Sequence, residues 1–272
     1  MAFGSTSSFS RSFRVGERPL SITSASQLPN LEVQYDASQA LASTFNSGVI
    51  TSGTEVTSWH NAGGLTAHDW NSTGGRRPEW FSNIINGKGV VRFNQTTAGV
   101  PTGEDADTDE RLSINPIAYL QGLSNTTMAL VFRSLSTSAG RRIATTTNTS
   151  GFQWGQDGTQ YVGGHAGATF TVDSQTVDTN FHRVVIAFDG TATGDSNRLK
   201  ARLDGSNVAL TFTGKVGVAT NASAATFYGG VDTAGSSNYF IGDIGELLIW
   251  TRTLNSSEIL AVEQYLSYKW GI

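Results

Sequence analysis

One stretch of the sequence, residues 240–272, carries a clear helix signal, and it closes the chain. Its first part, Ile244–Trp250, predicts a strand. Asn255 and Glu258 then have the spacing of a capping box, which marks the start of a helix. Beyond this start, apolar residues recur at helical spacing, at Ile259, Val262, Leu266 and Trp270. Because almost no helix signal occurs elsewhere, we expect a chain of β-structure that ends in one helix.

The rest of the sequence alternates apolar and polar residues over short runs, as half-buried strands do. The clearest runs are Met128–Arg133 and Phe181–Phe188, and Asp204-Gly205 predicts a tight hairpin turn after Arg198–Leu203. The chain has 272 residues, of which 38% are hydrophobic and 31 are glycine. This size and composition fit one large β-sandwich whose short strands are joined by tight turns.

The composition disfavours several classes of protein. The net charge of −4 offers no basic field for nucleic acid or for an anionic membrane. No apolar run approaches the roughly 18 residues that a membrane-spanning helix needs. Met1–Ser8 lacks the charged start and the apolar core of a secretory signal. Since the chain contains no cysteine, we expect it to be made in a reducing compartment such as a host cytoplasm.

Residues 1–29 differ from the rest of the chain, because they are rich in serine and show no strand or helix period. We expect them to form an extended N-terminal arm ahead of a sandwich of residues 30–272. The arm interleaves aromatic and basic residues, which are common interface anchors: Phe3, Phe9, Arg11, Phe13, Arg14 and Arg18. The arm would order on a partner or on a neighbouring subunit. The alternatives are a disordered tail and a strap folded over the chain's own sandwich.

Residues 151–172 combine aromatic side chains with six glycines and form the first candidate for a glycan site. Trp154, Tyr161 and His165 would present ring faces to a sugar, and polar neighbours would bind its hydroxyls, namely Gln153 and Asp157. The alternative is that these rings pack in the core and its hairpins. Tryptophans in the loop-rich region 37–90 pose the same choice between buried anchor and sugar platform: Trp59, Trp70 and Trp80.

An acidic segment holds Asp105, Asp107 and Asp109 at the one-apart spacing found at the start of calcium loops. Calcium prefers several carboxylate and carbonyl oxygens. The glycine and the closing glutamate of an EF-hand are absent, since their places hold Glu110 and Pro116. A solvated acidic loop is the alternative, and calcium is the one cofactor that the sequence suggests.

Several short motifs follow one another along the chain: Ser58–Gly64, Arg77-Pro78 with Asn86–Phe93, Phe181–Val184, Leu203–Gly205, and Ile241–Trp250 with the closing helix. In this order they resemble the laminin-G-like domains of the concanavalin A-like lectin/glucanase class. Asn61 and Ala62 depart from the first motif of that family, and Phe181 replaces its usual tryptophan. Over residues 30–272 the resemblance implies an all-β fold, a two-sheet antiparallel jelly-roll sandwich with one C-terminal helix.

Catalysis is not expected from the pattern of acidic residues. Glycosidases of this fold class carry Glu-x-Asp-x-x-Glu on one strand, because their nucleophile and acid must lie roughly 5 Å apart. The sequence does not contain this pattern. Glu246 is the only acid in the middle of a clear strand, and no carboxylate lies two residues from it. We therefore expect a protein that is not an enzyme, with Glu246 as a hydrogen-bonded residue of its strand.

Two functions remain, and the first is structural. A sandwich with an N-terminal arm and no signal peptide resembles bacteriophage virion proteins such as capsid decoration proteins, head fibres or tail proteins. Its partners would be other virion proteins or copies of itself in a symmetric, homo-oligomeric assembly, in which repeated contacts add avidity. The alternative is a glycan-binding or adhesion module that recognises surface glycans, with or without calcium.

Overall fold

The structure is a computed structural model that describes residues 20–272 with internal gaps. Within this range, the structure does not describe residues 42, 47, 49, 64–67, 73–76, 95–109, 116, 138–139, 147–150, 223–225 and 233–237. The predicted arm anchors from Phe3 to Arg18 and the acidic triplet from Asp105 to Asp109 therefore lie outside the described residues. The partner-binding role of the arm and the calcium site stay predictions.

The described residues form mostly β-strands, whose bounds are β1 Leu31–Asp36, β2 Thr54–Glu55, β3 Ser58–Trp59, β4 Trp70–Asn71, β5 Glu79–Ile85, β6 Lys88–Phe93, β7 Leu112–Ile114, β8 Asn125–Ser134, β9 Arg141–Thr146, β10 Phe152–Asp157, β11 Gln160–His165, β12 Ala168–Thr176, β13 Phe181–Asp189, β14 Leu199–Leu203, β15 Ser206–Val208, β16 Leu210–Thr213, β17 Phe227–Gly229 and β18 Gly242–Trp250. The helices are α1 Asp195–Arg198 and α2 Ser256–Trp270. Neither of these two described helices is long and apolar enough to cross a membrane.

The strands make two antiparallel sheets of nine strands each, within the part of the chain that the structure describes. Sheet 1 has the order β15-β14-β13-β8-β18-β6-β5-β2, and β1 also pairs with β18. Sheet 2 has the order β16-β12-β11-β10-β9-β17-β7-β4-β3. The expected all-β, two-sheet antiparallel sandwich with one C-terminal helix is confirmed.

Strand β18 lies at the centre of sheet 1, and all nine of its residues are buried. It pairs with β8 along most of its length. On its other side, Gly242–Ile244 pairs with β6 and Glu246–Trp250 pairs with β1. A register shift between Ile244 and Glu246 marks the change of partner. The strand predicted from Ile244–Trp250 is thus the central strand of sheet 1.

The main core fills the space between the sheets and is rich in aromatic rings. Trp59 and Trp70 are fully buried in it, and Tyr35 stacks on Trp70 with ring centroids 4.3 Å apart. Trp80 is also buried and donates its indole N–H to the carbonyl oxygen of Ala37 at 2.9 Å. The tryptophans of the loop-rich region are therefore buried anchors, which excludes them as sugar platforms.

A second core lies on the outer face of sheet 1, under helix α2. Asn255 caps this helix, accepting hydrogen bonds from the backbone N–H groups of Ser257 and Glu258, and the predicted capping box is present. Val262, Leu266 and Trp270 are buried against the sheet, while Ile259 is partly buried at the edge of this core. The helix ends at Trp270 and is followed by Gly271, whose positive φ of 73° suits glycine.

Residues 20–28 pack beside this helix and are called the strap here. A 3-10 turn, Ala25–Gln27, is capped by Ser24, and Gln27 completes a capping box. Ile22 and Leu28 are buried in the second core together with Ala25. Part of the segment predicted to be an arm is therefore a strap over the chain's own sandwich, one of the alternatives raised by the sequence.

Candidate functional site

A groove of about 1270 Å³ opens on the outer side of sheet 1, beside helix α2, and is called the helix-side groove here. Six segments enclose it: the strap, strand β1, the loop after β1, the residues that follow β3, the turn from β5 into β6, and the last turns of α2. Its lining residues are Ser21, Ile22, Thr23, Ser24, Gln34, Asp36, Ser38, Gln39, Leu41, Ser43, Thr44, His60, Ala62, Asn86, Lys88, Gln264, Tyr265, Tyr268 and Lys269.

Tyr268 supplies an exposed aromatic ring on the groove, since the residue is 91% exposed. It lies on the face of α2 that points away from the sheet, two residues after the buried Leu266 and two before the buried Trp270. Leu41, which also lines the groove, is 50% exposed. An exposed ring of this kind carries an apolar face and a polar hydroxyl at one position.

The floor of the groove is built from alternate residues of β1. Val33 and Tyr35 point into the main core, so Gln34 and Asp36 point to the helix. The Nε2 group of Gln34 donates to Oε1 of Glu246 at 3.1 Å. Asp36 accepts from Nζ of Lys269 at 2.6 Å. Strand β1 therefore supplies both the floor of the groove and, through Gln34, one partner of a residue beneath it.

That residue is Glu246, whose carboxylate is fully buried in β18 and fully hydrogen-bonded. Besides Gln34, Oε1 accepts from the hydroxyl of Tyr265 at 2.9 Å. Oε2 accepts from Nζ of Lys269 at 2.8 Å and from the indole N–H of Trp270 at 2.9 Å. The expectation that Glu246 is a hydrogen-bonded residue of its strand is confirmed.

Burial at the floor of the groove shifts the pKa values of Glu246 and Tyr265. Burial and then the charge of Asp36 raise the pKa of Glu246, while Lys269 acts in the opposite direction. Burial, followed by the charges of Glu246 and Asp36, also raises the pKa of Tyr265. The hydroxyl of Tyr265 therefore remains a hydrogen-bond donor over the physiological range.

His60 forms part of one wall and is held in place by Asp69. Its Nδ1 lies 2.8 Å from Oδ2 of Asp69, and Oδ1 of Asp69 accepts from the backbone N–H of Asn61 at 2.8 Å. Asn61 in turn accepts from the backbone N–H of Gln34 at 2.8 Å. The wall and the floor are thus connected by hydrogen bonds, which keeps the groove preformed.

The aromatic residues predicted to bind a glycan lie elsewhere, inside the main core. Trp154, Tyr161 and His165 are buried, and Trp154 stacks on Tyr161 with ring centroids 5.6 Å apart. His165 packs edge-on against Phe188, and burial lowers its pKa to about 3. Because these rings point at the facing sheet, they cannot stack on a sugar, and core packing replaces the glycan prediction at these three positions.

The two polar candidates of the same segment are separated from those rings. Gln153 alternates with Trp154 along β10 and is half-buried, and Asp157 is exposed at the end of that strand. The structure therefore does not bring the five predicted residues together in one site. Sequence reasoning also missed Tyr268, although an aromatic residue between two core positions of a helix was a usable signal.

Comparison with known proteins supports the fold. The family model described as the concanavalin A-like lectin/glucanases superfamily matches residues 94–260, more than half of the chain. A search of curated proteins found no match.

Among solved structures, the chain is similar to the CBM40 domain of the Ruminococcus gnavus IT-sialidase, with 14% identity and a TM-score of 0.44 over 54% of this chain and 86% of that one. It is similar to the Trypanosoma rangeli sialidase in complex with sialic acid, with 14% identity and a TM-score of 0.49 over 89% of this chain and 33% of that one. It is also similar to the binding domain of botulinum neurotoxin serotype C1, with 13% identity and a TM-score of 0.47 over 79% of this chain and 53% of that one.

The chain thus spans about a third of the Trypanosoma sialidase and about half of the neurotoxin domain. At such TM-scores these likenesses carry no argument about its function. The family match and the two-sheet architecture do establish where the chain belongs. The chain is a member of the laminin-G-like family within the concanavalin A-like lectin/glucanases superfamily.

Proposed function

We propose that the protein is a non-catalytic carbohydrate-binding module whose glycan site is the helix-side groove. The observation that carries the proposal is the pairing of the exposed Tyr268 ring with a groove lined by hydroxyl and amide groups. Sugar rings have apolar faces that stack on aromatic side chains and hydroxyls that pair with polar groups. Binding sites commonly combine an apolar surface with a few fixed polar groups in this way.

A preformed floor favours binding, because less conformational freedom is lost when the ligand arrives. Gln34, Asp36 and Lys269 are all held by hydrogen bonds within the protein. The ring of Tyr268 has few alternative positions compared with a long aliphatic side chain, which limits its entropic cost.

The proposal of a binding role without catalysis rests on the carboxylates near the groove. Most glycoside hydrolases use two carboxyl groups that both reach the scissile bond. Asp36 and Glu246 both bind Nζ of Lys269, but Glu246 is fully buried and all its described partners are protein donors. Lys269 therefore occupies the place where a substrate would need to lie.

The test is a glycan array probed with the wild-type protein, Tyr268→Ala and Val218→Ala. Val218 is 59% exposed and does not line the groove, so Val218→Ala is a matched control for loss of an exposed apolar side chain. We expect Tyr268→Ala to lose about tenfold in apparent affinity, because an aromatic contact contributes about 0.5–1.5 kcal/mol beyond the area it buries and 1.4 kcal/mol corresponds to about tenfold. The melting temperature should not change. Equal binding by all three proteins would place the site elsewhere, and no binding by the wild type would reject the function.

The bacteriophage virion role stays a prediction. It rests on the arm of residues 1–29 and on the missing signal features, and the family match gives it no support. Assembly with virion proteins or with further copies of the chain is likewise a prediction, as is a calcium-dependent mode of binding.

A further inference from the structure

The helix-side groove has little positive charge to offer a ligand. Its charged lining residues are Asp36, Lys88 and Lys269. The ammonium group of Lys269 lies 2.6 Å from Asp36 and 2.8 Å from the buried Glu246, so two carboxylates already compensate its charge. Among the described lining residues, Lys88 is the one cation outside an ion pair, and no arginine is present.

Recognition of an anionic sugar needs more positive charge than the groove provides. Carboxylates and sulfates are best recognised by charge-assisted hydrogen bonds, above all by the planar fork of arginine. In the groove an anionic group would instead meet Asp36, whose side chain is 27% exposed, with Glu246 behind it. The local field therefore disfavours sialylated and sulfated ligands.

Neutral hydrogen-bonding groups dominate the lining. Besides the two tyrosines, ten lining residues carry a hydroxyl or a carboxamide and no charge: Ser21, Thr23, Ser24, Gln34, Ser38, Gln39, Ser43, Thr44, Asn86 and Gln264. Hydroxyl and carboxamide groups both donate and accept hydrogen bonds, as sugar hydroxyls do. This lining matches a polyhydroxylated ligand without net charge.

Asp36 adds an acceptor that is already oriented. Its Oδ1 accepts from the backbone N–H of Ser38 at 2.9 Å, and its Oδ2 accepts from Lys269 at 2.6 Å. A carboxylate has about four lone-pair sites, so two of them remain for neighbouring hydroxyls of one sugar.

The size of the groove sets the length of the ligand. Pockets of about 300–1,000 Å³ hold drug-sized ligands. At about 1270 Å³ the helix-side groove exceeds that range. It has room for several sugar rings, of which one would stack on Tyr268.

We propose that the helix-side groove binds a neutral oligosaccharide of several sugar units, and not a sialylated or sulfated glycan or a monosaccharide. This inference rests on the proposed function, since it specifies the ligand of the same groove.

The experiment has a charge arm and a length arm. In the charge arm, an array presents neutral oligosaccharides beside their sialylated and sulfated counterparts, at low and at high salt, to the wild type and to Lys88→Gln. In the length arm, calorimetry measures maltose-type and cellobiose-type gluco-oligosaccharides of one to six units, together with the best neutral glycan on the array and its shorter fragments. Tyr268→Ala is measured in both arms.

We expect binding to neutral glycans that changes less than about twofold with salt or with Lys88→Gln, since exposed charges alone are screened by salt. Affinity should rise with ligand length and fall about tenfold in Tyr268→Ala. Binding confined to anionic glycans, and lost in high salt or in Lys88→Gln, would overturn the inference while the proposed function stands. Monosaccharide binding as tight as that of the longest ligand, or neutral binding unaffected by Tyr268→Ala, would also overturn it. Absence of all glycan binding would reject the proposed function and this inference together.

Discussion

The indole N–H of Trp270 donates to Oε2 of Glu246 at 2.9 Å, which fastens the last turn of helix α2 to the central strand of sheet 1. The bond joins two buried residues from the same end of the chain. It also fixes Lys269, the neighbour of Trp270, against the same carboxylate. The helix end and the floor of the helix-side groove therefore depend on one side chain.

Replacing Glu246 should lower the stability of the folded protein. In Glu246→Ala the buried donors of Lys269, Tyr265 and Trp270 lose their acceptor, and we expect the free energy of unfolding to fall by about 3–5 kcal/mol. Glu246→Gln keeps an acceptor and the shape, so it should lose less. Urea unfolding measures both variants. The control is Glu55→Gln, because Glu55 forms an exposed ion pair with Arg77 that should contribute about 0–1 kcal/mol. Equal midpoints for Glu246→Ala and Glu55→Gln would contradict the prediction.

The strap should contribute to stability through its buried side chains. Leu28→Ala removes a side chain from the second core, and we expect a loss of about 2–5 kcal/mol. Leu20→Ala provides a matched control, since Leu20 is exposed at the start of the described chain. Thermal unfolding of both variants distinguishes a packed strap from one that lies loosely on the surface. The latter would give the two variants the same melting temperature.

Trp154 should act as a core residue. We expect Trp154→Ala to lower the free energy of unfolding by about 3–5 kcal/mol, because it leaves a cavity beside Tyr161 and Phe132. Trp154→Phe fills part of that cavity and should cost less. Denaturant unfolding gives both values. A Trp154→Ala protein of wild-type stability that fails to bind glycans would instead restore Trp154 as a ligand contact.

His182 lies between two carboxylates, with Nδ1 2.7 Å from Asp204 and Nε2 2.9 Å from Asp178. Burial lowers the pKa of His182, but the hydrogen bonds and charges of Asp204 and Asp178 outweigh burial and raise the pKa overall. The folded state thus favours the imidazolium form. Its contribution to stability is complete below the ordinary pKa of histidine, about 6.5, and is lost as the pH rises through the raised folded pKa.

An NMR titration of the imidazole protons tests this arrangement. We expect His182 to titrate at a lower pH in Asp204→Asn than in the wild type, and stability to depend less on pH in that variant. Asp189→Asn serves as the control, since Asp189 lies at the other end of β13. An unchanged titration of His182 in Asp204→Asn would contradict the prediction.

Local patterns in the sequence were sufficient for much of the fold. The capping box of Asn255 and Glu258 is a contact between neighbours in sequence, so spacing alone predicted the start of α2. Alternation in Phe181–Phe188 predicted β13 for the same reason. Local patterns do not show which of a strand's two faces points to the core. Nothing local distinguishes a ring such as Trp154 that points to the core from one that points to solvent, because the choice depends on the facing sheet.

The groove could not be predicted, because it has no local signature. Asp36 and Lys269 are in contact although they lie near opposite ends of the sandwich sequence. The strap, a third segment, also lines the groove. Only the pairing of β1 with β18 brings these segments together. Tyr268 was the one part with a local signal, as an aromatic residue outside the apolar stripe of its helix.

Strand β18 is central in sheet 1 but late in the chain, so sheet 1 cannot be completed until synthesis is nearly finished. This strand separates β8 from β6 and β1, yet the ribosome makes it after all three. Until it emerges, the earlier strands lack their shared neighbour and expose unpaired edges, which promote aggregation. Closure across such long sequence separations is expected to make folding slow. A premature stop codon before residue 242 would thus leave a nascent polypeptide with the middle of a sheet missing, a substrate for chaperones and proteases.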